Sequence, residues 1–374
     1  MNIQMVDVKS QYLKIKEEID RGIQEVIDTT AFINGPKVKQ FQHEFETYLG
    51  VKHVTPCANG TDALQIAMMA LGLKPGDEVI VPAFTYVATA EVIALLGLIP
   101  VMVDVDGDTF NINTESIRSA ITSKTRAIVP VHLFGQSADM ENIMKIAEAH
   151  HLYVIEDNAQ AIGGDYIFRD GRLVKTGTTG HIGCTSFYPS KNLGCYGDGG
   201  AIFTNDNELG ALLYKIANHG QSVRYYHDVV GCNSRLDSIQ AAILSVKLRN
   251  LDGYCNSRIK VADFYDASFA DTEALETPYR ASYSTHVFHQ YTLKVKDGRR
   301  DQLKKYLDDQ NIPNMIYYPV PLYKQEAFKA SSNGLEFLPV TEELCREVIS
   351  LPIHTEMDDM QLNYITDKVK TFFS

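Results

Sequence analysis

Lys191 is the residue of this sequence best suited to covalent chemistry. It follows the apolar run Thr185–Tyr188 in a loop of Pro, Ser and Gly, whereas most lysines are solvated surface charges. A lysine whose amine is desolvated or placed beside another cation becomes nucleophilic and can form a Schiff base. Asp157 ends a second apolar run, Tyr153–Glu156, and Gln160 lies three residues further on. The Asp157 carboxylate could cap a helix or pair with a buried cation.

A third feature is the stretch Asn59-Gly60-Thr61-Asp62, which precedes a helical pattern. Free N–H groups at a helix start bind phosphate, although an ordinary helix cap is the simpler interpretation of this stretch alone. The sequence contains neither G-x-x-x-x-G-K-[ST] nor G-x-G-x-x-G, which argues against nucleotide hydrolysis and a dinucleotide site. A phosphate cradle, a carboxylate and a lysine together are what pyridoxal phosphate requires. The combination therefore predicts a pyridoxal phosphate site.

Alternating elements should bring these residues together. Between about residues 54 and 205, short apolar runs alternate with helical patterns, which predicts an α/β fold with a mostly parallel sheet covered on both faces. Active sites of such sheets lie beyond the carboxyl ends of the strands. The predicted strands are 78–81, 101–105, 127–132, 153–156, 185–188 and 201–204.

The two ends of the chain follow a different pattern. Apolar residues from Tyr12 to Ile27 predict one amphipathic helix. A long helix from Ser238 to about Phe269, a strand 287–295 and helices 300–310 and 358–372 predict a smaller C-terminal α+β domain. We place the large domain at residues 1–250 and the small domain at 251–374.

Composition excludes several classes of protein. The 374 residues carry a net charge of −12 without a basic run, so binding to nucleic acid or an anionic membrane is not expected. No apolar run approaches the roughly 20 residues that span a bilayer, and no secretory signal is visible. The six scattered cysteines are typical of a reduced, cytoplasmic protein. Histidine and cysteine spacings match no metal motif, so no metal site is predicted.

The sequence resembles the sugar aminotransferases of the DegT/StrS type, which have the fold-type-I pyridoxal phosphate architecture. The resemblance covers essentially the whole chain and is most specific in residues 59–64, 84–89, 156–160, 185–194, 197–200, 233–237 and 318–322. Within the family, the runs Cys57–Ile66 and Asn192–Gly200 most resemble the UDP-2-acetamido-2-deoxy-3-oxo-glucuronate aminotransferases. Those enzymes make a 3-amino sugar acid for bacterial surface polysaccharide.

The resemblance implies a cofactor role for each matching residue. Lys191 would form the Schiff base and then shuttle a proton, Asp157 would pair with the pyridinium nitrogen, and Gln160 would lie near the ring hydroxyl. Tyr86 would stack on the ring, although a plain core tyrosine is an alternative. The residues implied to hold the phosphate are Gly60, Thr61, Ser186 and, from the neighbouring subunit, Asn233. The resemblance therefore also implies a homodimer with shared active sites.

A second group would contact the nucleotide sugar: Thr30, Phe32, Ser190, Arg235, Tyr317 and Tyr318. For Arg235, an intersubunit salt bridge is an equal alternative. Tyr317 stands where the glucuronate-type enzymes carry His, and Phe32 stands where they carry Tyr. These departures leave a dTDP- or GDP-linked 3- or 4-keto-deoxy sugar as an alternative acceptor, with L-glutamate as the implied amino donor. A sugar dehydratase, which carries His in place of Lys191, and a non-catalytic sensor are the remaining alternatives.

Overall fold

The computed structural model describes residues 3–329 and 335–374, and its centre is a seven-stranded sheet. Its strands are β1 His53–Cys57, β2 Glu78–Pro82, β3 Ile99–Val103, β4 Thr125–Ile128, β5 Tyr153–Asp157, β8 Ile182–Ser186 and β9 Gly200–Thr204. Their spatial order is β1-β9-β8-β5-β4-β2-β3. Strands β2 to β5 and β8 run parallel, and β9 lies antiparallel to both of its neighbours. The predicted, mostly parallel sheet is therefore confirmed.

Short strands lie outside this sheet. Strands β6 Asp165–Ile167 and β7 Leu173–Lys175 form one antiparallel pair, and β10 Gln221–Val223 and β11 Tyr226–His227 form another. An antiparallel C-terminal sheet contains β12 Leu275–Glu276, β13 Tyr291–Val295 and β14 Val348–Leu351.

The helices lie on both faces of the central sheet and around the C-terminal sheet. They are α1 Val8–Lys14, α2 Lys16–Thr29, α3 Pro36–Leu49, α4 Gly60–Ala70, α5 Ala88–Leu95, α6 Thr114–Ala120, α7 Met140–His150, α8 Asn207–Ala217, α9 Ser238–Leu248, α10 Leu251–Phe269, α11 Arg300–Asp309, α12 Pro339–Glu347 and α13 Asp359–Phe373. None of the described helices is both long and apolar enough to cross a bilayer.

Alternating strand residues divide the core into two layers. Val79 and Val81 of β2 pack with residues of α4, α5 and α8, whereas Ile80 between them packs with residues of α6 and α7. Side chains alternate between the faces of a strand, so this division shows that helices cover both faces. The aromatic rings of Phe41 and Phe45 on α3 extend the second layer over β8 and β9.

Several element predictions are wrong in detail, and the strands predicted at 127–132 and 185–188 lie at Thr125–Ile128 and Ile182–Ser186. The N-terminal helix is interrupted at Ile15, which separates α1 from α2. The long predicted helix breaks at residues 249–250, where the Asn250 side-chain amide donates to the carbonyl of Val246. The predicted strand 287–295 begins only at Tyr291, because the Val287 N–H donates to Gly135 in another loop at 2.8 Å. Strand β1 was not predicted.

The C-terminal sheet has its own core. Tyr265 of α10, Tyr291 of β13 and Ile365 of α13 are fully buried there, with Ile3 from the N-terminus among them. This is the predicted smaller α+β unit. The boundary between residues 250 and 251 falls at the start of α10 and stays a prediction.

Candidate active site

Sheet register aligns the ends of four strands at one edge. Asp157, the last residue of β5, pairs with Cys184 of β8. Ser186, the last residue of β8, pairs with Gly200 of β9, which in turn pairs with Cys57 at the end of β1. One edge of the sheet, at the carboxyl ends of its strands, therefore holds the Asp157 carboxylate, the end of β8 and the turn into α4. Ligands bind at this edge in such folds.

Asp157 is buried and is oriented by two hydrogen bonds. Its Oδ2 accepts from the Thr89 hydroxyl on α5 at 2.8 Å, and its Oδ1 accepts from the Ala159 N–H at 3.2 Å. Only 6% of the residue is exposed. The two hydrogen bonds therefore hold the carboxylate in one orientation at the end of the strand.

A buried network stands behind this carboxylate. Glu156 accepts from His132 Nε2 at 2.8 Å and from backbone N–H groups within residues 177–180. His132 Nδ1 accepts from the Ala138 N–H at 3.1 Å, so the ring proton is on Nε2. These partners supply the hydrogen bonds that the fully buried Glu156 carboxylate needs, and they fix the end of strand β5.

The loop after β8 places Lys191. The Lys191 N–H donates to the carbonyl of Tyr188 at 2.8 Å, and the Asn192 side chain donates to the carbonyl of Val287 at 3.0 Å. A Cβ at Gly194 would lie 2.4 Å from the Pro189 oxygen, so only glycine fits this turn. Burial lowers the pKa of the Lys191 amine to about 8, although the Asp157 carboxylate acts in the opposite direction. About a tenth of the amine is therefore uncharged at pH 7, far more than for an ordinary lysine.

A cradle for an anion lies at the start of α4. Asn59 caps this helix, since its side chain accepts from the Asp62 N–H at 2.8 Å. The N–H groups of Gly60 and Thr61 open the helix, and helix geometry leaves such groups without an intrahelical acceptor. A Cβ at Gly60 would lie 2.7 Å from the Ser186 Cβ. The missing side chain thus allows the hydroxyl-bearing end of β8 to approach the free N–H groups.

Gln160 and Tyr318 form the next part of the site. Gln160 Oε1 accepts from the Phe134 N–H at 2.7 Å, and its Nε2 donates to the Tyr318 hydroxyl at 3.2 Å. The Tyr318 ring lies 6.4 Å from the Tyr86 ring. Because Tyr86 is 58% exposed, the alternative of a plain core tyrosine is wrong. Burial raises the pKa of Tyr318, so its hydroxyl stays protonated.

The predicted sugar contacts fall into two groups. Ser190, which precedes Lys191 in the chain, and Tyr317 line one cavity. Phe32 lies elsewhere, and its carbonyl accepts from the Ser238 N–H at 2.8 Å. Ser238 follows Asn233 and Arg235 closely along the chain. Thr30 ends the preceding helix, in the left-handed conformation. Across residues 3–329 and 335–374, no hydrogen bond or ion pair joins this second group to Lys191, Asp157 or Gln160.

The family model described as the DegT/DnrJ/EryC1/StrS aminotransferase family matches residues 13–370. The chain belongs to this family. It is a sugar aminotransferase that depends on pyridoxal phosphate, so the predicted enzyme class and cofactor are confirmed. Among the described residues, no group of three or more His, Cys, Asp or Glu side chains is arranged to hold a metal ion.

Similar proteins share nearly the whole length of this chain. A pleiotropic regulatory protein of Geobacillus stearothermophilus is 45% identical over 100% of the chain and 99% of its own length. The UDP-2-acetamido-2-deoxy-3-oxo-D-glucuronate aminotransferase of Pseudomonas aeruginosa is also 45% identical, over 97% and 98%. Other relatives are named for dTDP- and GDP-linked sugars.

Solved structures agree with the fold. A DegT/DnrJ/EryC1/StrS aminotransferase from Brucella abortus has a TM-score of 0.94 and 40% identity, with 100% of both chains covered. The ntda protein of Bacillus subtilis, whose structure holds the cofactor PMP, has a TM-score of 0.89 and 32% identity, covering 96% of this chain and 82% of its own.

The family cofactor fits the residues at this edge of the sheet. The Gly60 and Thr61 N–H groups with Ser186 match a phosphate, the fixed Asp157 carboxylate matches a protonated ring nitrogen, and the partly uncharged Lys191 amine matches an aldehyde. Sequence reasoning missed the hydrogen bond of Thr89 to Asp157 and the positions of His289 and Gln290 beside the site. Thr89 lies within the stretch 84–89 that carries the family resemblance, which is the signal that could have found it.

Proposed function

We propose that this chain moves the amino group of L-glutamate to UDP-2-acetamido-2-deoxy-3-oxo-glucuronate. The product would be a 3-amino sugar acid for bacterial surface polysaccharide, such as O-antigen, made in the cytoplasm. The observation that carries the chemistry is the partly uncharged Lys191 amine beside the fixed Asp157 carboxylate. The sugar rests on the 45% identity to the Pseudomonas aeruginosa enzyme.

Each residue of the site would have one task. When bound, pyridoxal phosphate supplies an electron sink that accepts the electron pair of a carbon–hydrogen bond. Asp157 would keep the ring nitrogen protonated, and the cradle at Gly60 would hold the phosphate. Lys191 would hold the cofactor covalently between turnovers. Once a substrate amine displaces it, its Nζ would take the proton from the donor carbon and return it at the cofactor, first as base and then as acid.

The two substrates would use this site in turn. Glutamate gives up its amino group and leaves as a keto acid, and the keto sugar then enters and receives the amino group by the reverse steps. Such alternation predicts ping-pong kinetics. Borohydride reduction of the loaded enzyme followed by peptide mapping tests the assignment of the amine. The label should be on Lys191, and a label on another lysine would reject the proposed mechanism.

The assembly we propose is a homodimer with shared sites. The segment around β10 and β11 exposes Val223, Tyr225, Tyr226 and Val230, of which Val230 is 85% exposed. Apolar side chains grouped on one projecting segment are typical of a surface that a partner covers. Asn233 and Arg235 follow this segment along the chain. A second copy that packs on the segment would therefore have its own active site close to these two residues.

Mixing two inactive variants tests the shared site. Lys191→Ala removes the amine, and Asn233→Ala removes the proposed phosphate contact across the interface. In a mixed dimer one site then carries both faults and the other carries neither, so random mixing should recover about a quarter of wild-type activity. If Asn233 serves its own subunit, every site keeps one fault and no activity returns.

The acceptor is tested by mass spectrometry of keto sugars mixed with enzyme and glutamate. The UDP-linked 3-keto uronic acid should be aminated with the highest kcat/KM. Preferential amination of a dTDP- or GDP-linked keto-deoxy sugar would replace this acceptor with the alternative that the departures at Tyr317 and Phe32 leave open. A colourless purified protein whose absorbance does not change on adding glutamate would instead favour a non-catalytic sensor.

A further inference from the structure

The segment that leads from the exposed β10 and β11 region into α9 alternates between buried and more exposed residues. Its buried members, each at most 1% exposed, are Ser234, Leu236 and Ser238, and the residues between and before them are Asn233, Arg235 and Asp237. Asn233 and Asp237 also form antiparallel backbone bridges, with Asn218 and Ile33 respectively. Because side chains of a strand-like segment alternate between two sides, the even-numbered residues face the subunit's own interior and the odd-numbered residues face away from it.

On the inward side, the Ser234 hydroxyl holds the backbone just before the phosphate cradle. Its Oγ accepts from the Ala58 N–H at 3.0 Å, and Ala58 precedes Asn59, which caps α4. The Ser234 N–H donates to the carbonyl of Ala217 at 3.0 Å, so the serine is itself attached to the end of α8. Removal of the hydroxyl would therefore take away a link between α8 and the chain that enters the cradle.

Leu236 contacts the same region from the same side. A Cβ at Gly199 would lie 3.0 Å from Leu236 Cδ1, so the leucine packs on the turn before β9. Strand β9 begins at Gly200, which pairs with Cys57, the residue before Ala58. The inward side of the segment is thus joined to the cradle of its own subunit at two places.

On the outward side, the segment carries the residue that would reach the other cradle. Asn233 is exposed, and in the proposed homodimer its side chain would contact the phosphate bound by the neighbouring subunit. Asn233 and Ser234 share a peptide bond, so the hydrogen bonds that fix Ser234 also fix the backbone from which the Asn233 side chain extends. One serine therefore lies between two cradles, its own and the neighbour's.

We propose that Ser234 is a positioning residue for both active sites of the dimer. Through the Ala58 N–H it orders the cradle of its own subunit, and through Asn233 it orders the cradle of the neighbour. This inference rests on the proposed function, since it assumes that Asn233 serves the neighbouring subunit. It goes beyond that function because it makes one buried hydroxyl responsible for cofactor affinity on both sides of the interface.

Hybrid dimers with one reactive lysine test the assignment. One subunit carries Lys191→Ala and the other keeps Lys191, so borohydride fixes pyridoxal phosphate on Lys191 of the second subunit alone. Ser234→Ala is placed on one subunit or the other, and mass spectrometry measures the label on Lys191 as the pyridoxal phosphate concentration rises. Each placement should raise the half-saturating concentration about threefold, in one case through Ala58 and in the other through Asn233. With Ser234→Ala on both subunits the two effects should multiply to about tenfold.

Ser238 provides a matched control in the same segment. Its buried hydroxyl accepts from the Gly35 N–H at 3.3 Å, at the start of α3 rather than at the cradle. Ser238→Ala should therefore leave the half-saturating concentration unchanged in either placement. Ser234→Cys keeps the volume of the side chain but offers a weaker acceptor, so it should give smaller losses than Ser234→Ala. If Ser234→Ala does not assemble into dimers, Ser234→Cys decides the question.

The outcomes separate this inference from the proposed function. A loss confined to one placement of Ser234→Ala, no loss in either, or equal losses for the Ser234 and Ser238 variants would overturn the inference. Absence of label on Lys191 of the wild-type enzyme would instead reject the proposed mechanism. Asn233→Ala on the Lys191→Ala subunit should weaken labelling of the other subunit, and an unchanged affinity there would reject the shared site.

Discussion

The amine of Lys191 in cofactor-free protein should react with the aldehyde of pyridoxal phosphate at pH values where ordinary lysines are inert. Burial lowers the pKa of Lys191 from the ordinary 10.5 to about 8, against the opposing effect of Asp157. At neutral pH, an amine with a pKa of about 8 is uncharged about 300 times more often than one at 10.5. Since only the uncharged amine attacks, the rate should exceed that of an exposed lysine, by less than this factor because a less basic amine is also a weaker nucleophile. The rate should rise with pH and level off above about 8.

Stopped-flow absorbance from about pH 6 to about pH 10 measures this profile. Lys247 offers an internal control, because burial lowers its pKa to about 8 as well, yet it lies on α9 above the Tyr196 ring. Lys191→Ala should abolish the fast reaction, and Lys247→Met should leave it intact. A midpoint near 10, or loss of the reaction in the Lys247 variant, would refute the reasoning from burial and strand-end position.

Three further variants test separate parts of the site and fold. Thr89→Val removes the 2.8 Å hydrogen bond to Asp157, so the glutamate half-reaction should slow about tenfold while cofactor is retained; an unchanged single-turnover rate would contradict this. Gly60→Ala places a Cβ 2.7 Å from that of Ser186 and should weaken cofactor binding in equilibrium dialysis at least about tenfold. Because Ser186→Gly also removes a hydroxyl of the cradle, Gly60→Ala is compared in both backgrounds: it should weaken binding less in the Ser186→Gly protein than in the wild type, and equal losses would reject the steric explanation. The Asp104 carboxylate accepts from two backbone N–H groups at the start of α12 and so caps this helix. Asp104→Ala should lower the free energy of unfolding, measured in urea, by about 2 kcal/mol. A loss below about 0.5 kcal/mol would show that this cap is unimportant.

Local sequence patterns predicted much of the fold and failed where tertiary contacts decide. The apolar runs of the central sheet predicted six of its strands because both faces of each are buried. Strand β1 was missed because Pro56 argues against a strand, and the structure places it at the sheet edge, where proline is tolerated. The break at Asn250 depends on one side-chain bond that periodicity does not report.

The candidate site shows the same division. Lys191, Asp157 and Gly60 could be proposed from the sequence because strand ends and helix starts have local signals. Thr89 lies 68 residues from Asp157 along the chain, and no spacing rule predicts their hydrogen bond. His289 was assigned to a strand, whereas a loop fixed by other loops holds it beside the cavity. Such contacts exist only after the chain has folded.

The anion cradle is assembled from residues that are remote along the polypeptide. Gly60, Ser186 and Gly200 meet only in the native state, where a Cβ at Gly200 would lie 2.5 Å from the Asn59 carbonyl carbon. The unfolded chain has no such phosphate cradle, so pyridoxal phosphate, which derives from vitamin B6, binds only the native state. By mass action, a ligand present at about 100 times its Kd adds about 2.7 kcal/mol to stability. The supply of vitamin B6 in the cell would therefore govern how long this polypeptide survives proteolysis, in addition to how fast it turns over.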